Sequence, residues 1–189
     1  MMNRRQFALL STAVAWGSLA TVAQAQSTPE MKVSPEEAYK LATGGQGFTV
    51  GPMMAANTVY VFFDTTCPHC AHLWTSSAPL RTKIKMVWMP VGFLRPISTK
   101  QGATILSAAD PVAAMTTHET RLMNRQGGIA VADNLSEAAL AKVKTNTAIF
   151  EKIGSTSVPV VLFRNARSGT YAAHAGSAET AQLAAMFGI

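Results

Sequence analysis

Two apolar patterns organise this chain. Thr58 to Phe63 is an unbroken run, Thr-Val-Tyr-Val-Phe-Phe, which suits a strand buried on both faces. A second strand is expected from Ile84 to Phe93, where Val87, Trp88 and Val91 alternate imperfectly with less apolar positions and Pro90 signals an edge or an interruption. Val160 to Phe163 is strand-like again, Asn165 to Gly169 is turn-like, and Thr170 to His174 reads as an antiparallel return. Helical spacing appears elsewhere. Ser34-Pro35-Glu36-Glu37 opens a short helix through Leu41, with Ser34 as cap, and Gly44 to Gly47 closes it. A helix starting at Cys67 carries Leu73, Trp74 and Leu80, with Pro79 ending or bending it. Lys100 to Ala109, Pro111 to Asn124 and Ser136 to Ile153 form a helical block, and Ser177 to Phe187 reads as a closing amphipathic helix. Strands separated by helices define an α/β domain.

The N-terminus stands apart from this pattern. Asn3-Arg4-Arg5-Gln6-Phe7 precedes an uncharged stretch from Ala8 to Val22 and then Ala23-Gln24-Ala25, the arrangement of a cleavable export signal over residues 1–25. Arg4-Arg5-x-Phe also resembles a twin-arginine signal. The stretch is short for a bilayer span, so no stable membrane insertion is expected after its removal. Residues 26–56 form a short N-terminal segment with one helix, and residues 57–189 are expected to form one domain, with the helical insertion over about residues 98–153. The chain carries 16 basic and 10 acidic residues, and Arg4 and Arg5 would leave with the signal, so the exported protein is mildly basic. No basic run interleaved with aromatics appears, which argues against a nucleic-acid partner.

The candidate chemistry lies at Cys67-Pro68-His69-Cys70, which holds the only two cysteines in the sequence. A strand that hands a Cys-x-x-Cys pair to a helix N-terminus sets the first sulfur beside unpaired N–H groups and the positive end of the helix dipole. Both favour a thiolate, so Cys67 is expected to be an acidic, exposed nucleophile, with Cys70 covered by the first turn as the resolving partner. Pro68 suits the first turn, and His69, when protonated, adds positive charge near the sulfur. A reduced form stabilised in this way makes the disulfide oxidising, and an exported compartment lets the pair cycle. Asp64 has two open readings, a carboxylate that modulates proton transfer or one that holds the turn. His72 reads as a surface residue, and His118 and His174 carry no contextual signal. A structural zinc site would need further ligands, and a structural disulfide across so short a loop would remove little chain entropy. Ten methionines and two thiols also suit a Cu(I)-handling protein, although Met53-Met54 and Met86 with Met89 make no repeated ligand box. A peptide-holding chaperone without catalysis is a further reading.

The order strand, Cys-x-x-Cys helix, strand, helical block, Pro-preceded strand, strand, helix is that of a thioredoxin fold with a helical insertion in a central mixed sheet. Phe62 to Cys70, Ile105-Leu106-Ser107-Ala108-Ala109-Asp110-Pro111, and Ser157-Val158-Pro159 together resemble the catalytic domain of the DsbC/DsbG thiol:disulfide interchange proteins, nearer the DsbG branch. The likeness covers roughly Thr58 to the C-terminus. It implies an exported, periplasmic thiol:disulfide oxidoreductase that needs no dissociable cofactor and no metal. Its partners would be protein substrates with thiols or disulfides and a membrane redox partner. It also implies that Pro159 is a cis-proline set against the cysteines and that Val158 offers backbone contacts to an extended substrate. A DsbG-like reductase or isomerase role, protecting single cysteines from over-oxidation, is the alternative. Two features depart from that family. The roughly 30 residues between the expected cleavage site and the catalytic strand are too few for the family's N-terminal dimerisation domain. Pro-His between the cysteines and Val before the proline are similar instead to the oxidase DsbA.

Overall fold

The computed structural model describes residues 28–55 and 57–189; the export signal expected over residues 1–25 lies outside them. Ser34 caps helix α1 (Pro35–Ala42) by accepting a hydrogen bond from the Glu37 N–H at 3.2 Å, with Pro35 in the first turn. Strand β1 (Phe48–Val50) follows and was not visible in the apolar pattern. Its three residues pair antiparallel with strand β3 (Lys85–Pro90), Thr49 standing opposite Val87. Gly47 leads into it because the backbones approach too closely for a side chain: a Cβ there would lie 2.5 Å from the Trp88 carbonyl oxygen. The described part of this N-terminal segment therefore supplies a strand as well as a helix, and α1 packs against two later strands of the same sheet, β4 (Val160–Arg164) and β5 (Tyr171–Ala175).

The run Thr58–Phe63 is strand β2, the centre of a five-stranded sheet ordered β1-β3-β2-β4-β5. It pairs parallel with β3 and antiparallel with β4 (Val160–Arg164), which in turn pairs antiparallel with β5 (Tyr171–Ala175). Consecutive side chains of a strand point to opposite faces, and β2 is apolar at both. Phe62 meets Phe150 of helix α5 (Glu137–Ile153) at 5.9 Å between ring centroids, while Phe63 meets Trp88 at 5.7 Å. Trp88 in turn packs at 5.0 Å on Trp74 of helix α2 (Pro68–Ser76). The two helices thus cover opposite faces of the sheet. Each fully buried Phe contributes about 2–3 kcal/mol by leaving water, so β2 is the main seam of the core.

Of the two settings expected for Pro90, an edge or an interruption, the structure shows the second: β3 ends at this residue. β3 lies inside the sheet, between β1 and β2, and is not an edge. Pro90 is tolerated because it is the last residue of the strand. The Val91 N–H bonds the Phe63 carbonyl at 2.9 Å, so the missing N–H of Pro90 faces the β1 side, where pairing has already ended at Trp88.

Helix α2 stops at Ser76, and Ala78–Leu80, which contains Pro79, forms a separate 3-10 turn that carries Leu80. The helical block consists of α3 (Pro96–Ser107), α4 (Pro111–Met123) and α5. Asp110 caps α4 by accepting from the Val112 and Ala113 N–H groups, both at 3.0 Å, and Ser136 caps α5 by accepting from Ala139 N–H at 3.1 Å. α4 lies on α2 and α3, and α5 lies on α3 and β3. Helix α6 (Thr180–Phe187) closes the chain, with Phe187 against Phe163 of β4 at 5.3 Å. Among the described residues, no helix is long and apolar enough to cross a membrane.

Candidate active site

The loop between β2 and α2 is built around a buried carboxylate. Asp64 Oδ1 accepts from the Thr66 N–H at 2.8 Å, the Thr66 hydroxyl at 2.8 Å and the Ser98 hydroxyl at 2.7 Å. Its Oδ2 accepts from the Phe93 and Leu94 N–H groups at 2.9 and 2.8 Å. Of the two readings of this residue, the geometry supports the one in which it holds the turn: it clamps the loop after β3 and the start of α3 onto the residues that precede Cys67.

Cys67 is the N-cap of α2, with extended backbone dihedrals, and Pro68 takes the first helical position. Its thiol is held at about 7, below the ordinary thiol value, chiefly because the Cys70 thiol donates to its sulfur. Burial pushes the other way. The Cys70 and His69 N–H groups favour the anion further, although neither closes a hydrogen bond to the neutral sulfur, and the Asp64 carboxylate opposes it. Cys70 is wholly buried, and that burial, with the Cys67 sulfur beside it, raises its thiol well above the ordinary value. Both cysteines are free thiols. The pair is therefore split into one acidic sulfur and one that keeps its proton.

Cys67 is less open than the sequence led us to expect, with only 4 % of its surface exposed. The reason is the segment before β4. The Cys67 thiol lies 3.5 Å from the Val158 carbonyl oxygen, to which it donates, and the Val158–Pro159 peptide is cis. Pro68 and His69, by contrast, are exposed on the adjoining turn. The Cys67 sulfur is thus narrowly exposed, with the Val158 carbonyl on one side and Pro68 on the other.

Two residues that the sequence left unassigned complete the surroundings. His118 of α4 is fully buried, and its Nδ1 accepts from the Ile129 N–H at 2.9 Å, which leaves Nε2 to donate to the Thr65 carbonyl at 2.7 Å. Burial keeps this imidazole below its ordinary pKa, so it is a neutral strut between α4 and the Cys67 loop. Gly128, at φ 82°, is needed beneath it, since a Cβ there would run into the imidazole ring. The next residue, Glu119, is 3 % exposed, and neither carboxyl oxygen has a partner. Burial first, and the Cys67 sulfur second, push its pKa to about 9. No periodicity could have marked these residues, because their position depends on how α4 lies on α2. His72 is exposed and His174 is buried on β5. Among the described residues, no group of three or more His, Cys, Asp or Glu side chains is placed to hold a metal ion.

The raised carboxyl makes a pH prediction. Glu119 keeps its proton in the folded chain up to about pH 9, but an unfolded chain loses it near the ordinary carboxyl value of 4.5. The folded state therefore holds the extra proton between those limits, and stability must fall as pH rises through that window, by about 1.4 kcal/mol per pH unit at most. Glu119→Gln should remove this slope. Urea unfolding at pH 5.5 and pH 8 should show a smaller loss for the variant than for the parent, and equal losses would refute the assignment.

A strand that delivers Cys-x-x-Cys to a helix N-terminus, faced by a cis-proline loop in a mixed β1-β3-β2-β4-β5 sheet, defines a thioredoxin-like redox site. The chain belongs to the thioredoxin family Thioredoxin_4, which matches residues 43–172. It is similar to the thiol:disulfide interchange protein DsbG of Pseudomonas aeruginosa, with 26% identity over 136 residues, 71% of this chain and 52% of that protein. The chain thus spans about half the length of this curated relative. Among solved structures, the catalytic domain of Proteus mirabilis ScsC superposes with a TM-score of 0.63 at 17% identity, covering 80% of this chain and 93% of that one. A periplasmic thioredoxin-like protein from Salmonella enterica serovar Typhimurium gives 0.62 at 15% identity, covering 82% and 97%. Both share the fold.

Proposed function

We propose that this protein is an exported, periplasmic thiol:disulfide oxidoreductase that exchanges disulfides with protein substrates through Cys67 and Cys70. The observation that carries the reading is the division of labour between the two sulfurs: Cys67 at the helix N-terminus with its thiol near 7, and Cys70 beneath it, protonated and enclosed. The similarity to DsbG supports the same chemistry.

In the oxidised protein, a substrate thiolate attacks Cys67, the Cys67–Cys70 bond breaks, and Cys70 departs as a thiolate that takes up a proton. A second substrate thiolate then attacks the substrate sulfur of the mixed disulfide and expels Cys67 as its thiolate. The substrate has lost two electrons, and the cysteine pair has gained them. A thiol near 7 makes Cys67 a good leaving group in the second step. Pro68 starts the helix at the sulfur, and His69 contributes its N–H to the anion. The Val158 carbonyl, freed from the thiol in the oxidised form, and the turn at Pro159 receive the extended backbone of the substrate. A membrane redox partner removes the electrons to complete the cycle. The likeness to DsbG keeps a second direction in view: with a reducing partner, the same Cys67 thiolate would attack sulfenic acids. The reduction potential separates the two, an oxidising value supporting disulfide donation and a thioredoxin-like value supporting reduction.

Cys70→Ala supplies the direct test. The variant cannot form the Cys67–Cys70 bond, but its Cys67 thiolate still attacks a substrate disulfide and expels one substrate sulfur as a thiolate; with no Cys70 to release it, the mixed disulfide should accumulate as a covalent adduct that dithiothreitol frees. Failure to recover any adduct from a folded variant would overturn the reading.

A further inference from the structure

Beside the Cys67 sulfur the surface opens into a cleft of about 540 Å³ whose apolar floor includes Pro68, Ile97 and Leu122 and whose rim carries Arg95 and Arg125. Thr66 and Pro68, the residues on either side of Cys67, both line it, so the cleft adjoins the turn that carries the reacting sulfur. Exposed large apolar side chains gather in the same region. Phe93, Leu94 and Ile97 are 40 %, 48 % and 45 % exposed, and Asp64 ties Phe93 and Leu94 to the Cys67 loop through their N–H groups. An exposed apolar group beside a reactive centre marks a place for a partner.

The rim gives that partner its chemistry. Arg95 and Arg125 are both exposed, and among the described residues the one ion pair is Lys40 with Glu36, so no described carboxylate pairs with either guanidinium. The nearby acids do not compensate them: Asp64 is buried under five donors, and the Glu119 carboxyl is enclosed. Arg125 is also the one non-glycine residue with a positive φ, 58°, among the described residues. It follows the end of α4, a position where glycine or asparagine is the usual choice. The α4 dipole already has Arg121 in its last turn, so the C-terminus does not itself call for a cation at 125. A side chain kept where the backbone disfavours it is a pointer to use.

We propose that this cleft selects clients that carry an aspartate or glutamate, together with an apolar side chain, within a few residues of the reacting cysteine. The inference rests on the oxidoreductase reading above and names the substrate class of that site. With the client backbone extended along Val158, neighbouring residues reach Pro68 and Ile97, where an apolar side chain is covered, and a carboxylate meets the two guanidinium groups at the rim.

The test compares two nine-residue peptides with one cysteine each, identical except for Glu or Lys two residues from it, in their rates of mixed-disulfide formation with the oxidised full-length protein. At low ionic strength the Glu peptide should react about fivefold faster once each rate is divided by the fraction of that peptide's cysteine ionised at the assay pH. The ratio should approach one in Arg95→Gln/Arg125→Asn, and also in the parent at 0.5 M salt, a second measurement that requires no variant. Because each ratio is taken within one protein, a general change in the Cys67 sulfur cancels. A ratio of one in the parent at low salt, or one that survives both the double change and high salt, would overturn the cleft assignment while leaving disulfide exchange intact. If neither peptide nor dithiothreitol reacts, the oxidoreductase reading itself fails, and this inference fails with it.

Discussion

Cys67→Ala should lower the rate of thiol–disulfide exchange by on the order of a thousandfold or more, a scale set by the loss of the nucleophile from other covalent catalysts. No nearby group can take its place, because Cys70 is wholly buried and keeps its proton at neutral pH. The fold should survive. The Cys67 side chain makes no capping hydrogen bond, and its removal gives up two weak sulfur contacts, the 3.5 Å one to the Val158 carbonyl and the one received from the Cys70 thiol. Exchange measured with a cysteine-containing peptide, beside a circular dichroism spectrum, reads both quantities. The effect differs in kind from that of Cys70→Ala, which leaves Cys67 able to attack a substrate disulfide but removes the sulfur that would release the mixed disulfide. A Cys67→Ala protein that still exchanged disulfides would mean that the wrong sulfur had been assigned.

Asp64→Ala should be the most destabilising single change near the site, costing about 4 kcal/mol. The carboxylate is completely buried and receives three N–H groups and two hydroxyls. The Thr66 and Ser98 hydroxyls can rotate to new partners, but the N–H groups of Thr66, Phe93 and Leu94 are fixed by the backbone and would lose this acceptor at part-buried positions. Each such orphan costs about 1–3 kcal/mol. Urea unfolding should show the loss as a lower midpoint. The segment from Phe93 to Leu94 would also detach from the Cys67 loop, so a peptide substrate should bind less well even where the variant remains folded. A loss below about 1 kcal/mol would show that the carboxylate does not organise this loop.

Much of this arrangement could be read from the residues, and the parts that could not share a cause. β2 and the start of α2 were legible because a continuous apolar run next to Cys67-Pro68 is a local signal. The helix starts at Ser34, Asp110 and Ser136 were legible for the same reason: each cap accepts N–H groups only two or three residues ahead. Gly154, left-handed at the end of α5, is another local marker. β1 escaped because three residues carry almost no periodicity, and its identity comes from pairing with β3, far along the chain. Pro90 marked the end of β3 correctly but could not tell an interruption from an edge, because that depends on where β1 stops pairing. His118 and Glu119 could not be placed since their neighbours in sequence are ordinary helix residues and their neighbours in space lie some 50 positions earlier, at Thr65 and Cys67. The near-closure of Cys67 likewise comes from Val158, 91 residues away.

Titration of the Cys67 thiol tests the central claim most directly. In the reduced Cys70→Ala protein the Cys70 donor is absent, so the measurement belongs on the parent, followed by thiolate absorbance or by the pH dependence of alkylation. The folded value of about 7 lies below the ordinary thiol value of 9.0, so the reduced state should gain stability as pH rises through that interval and lose it as pH falls through 7. A single thiol ionising near 7, with the second silent to well above 9, is the predicted result. Two thiols that both ionise at ordinary alkaline values would contradict the account.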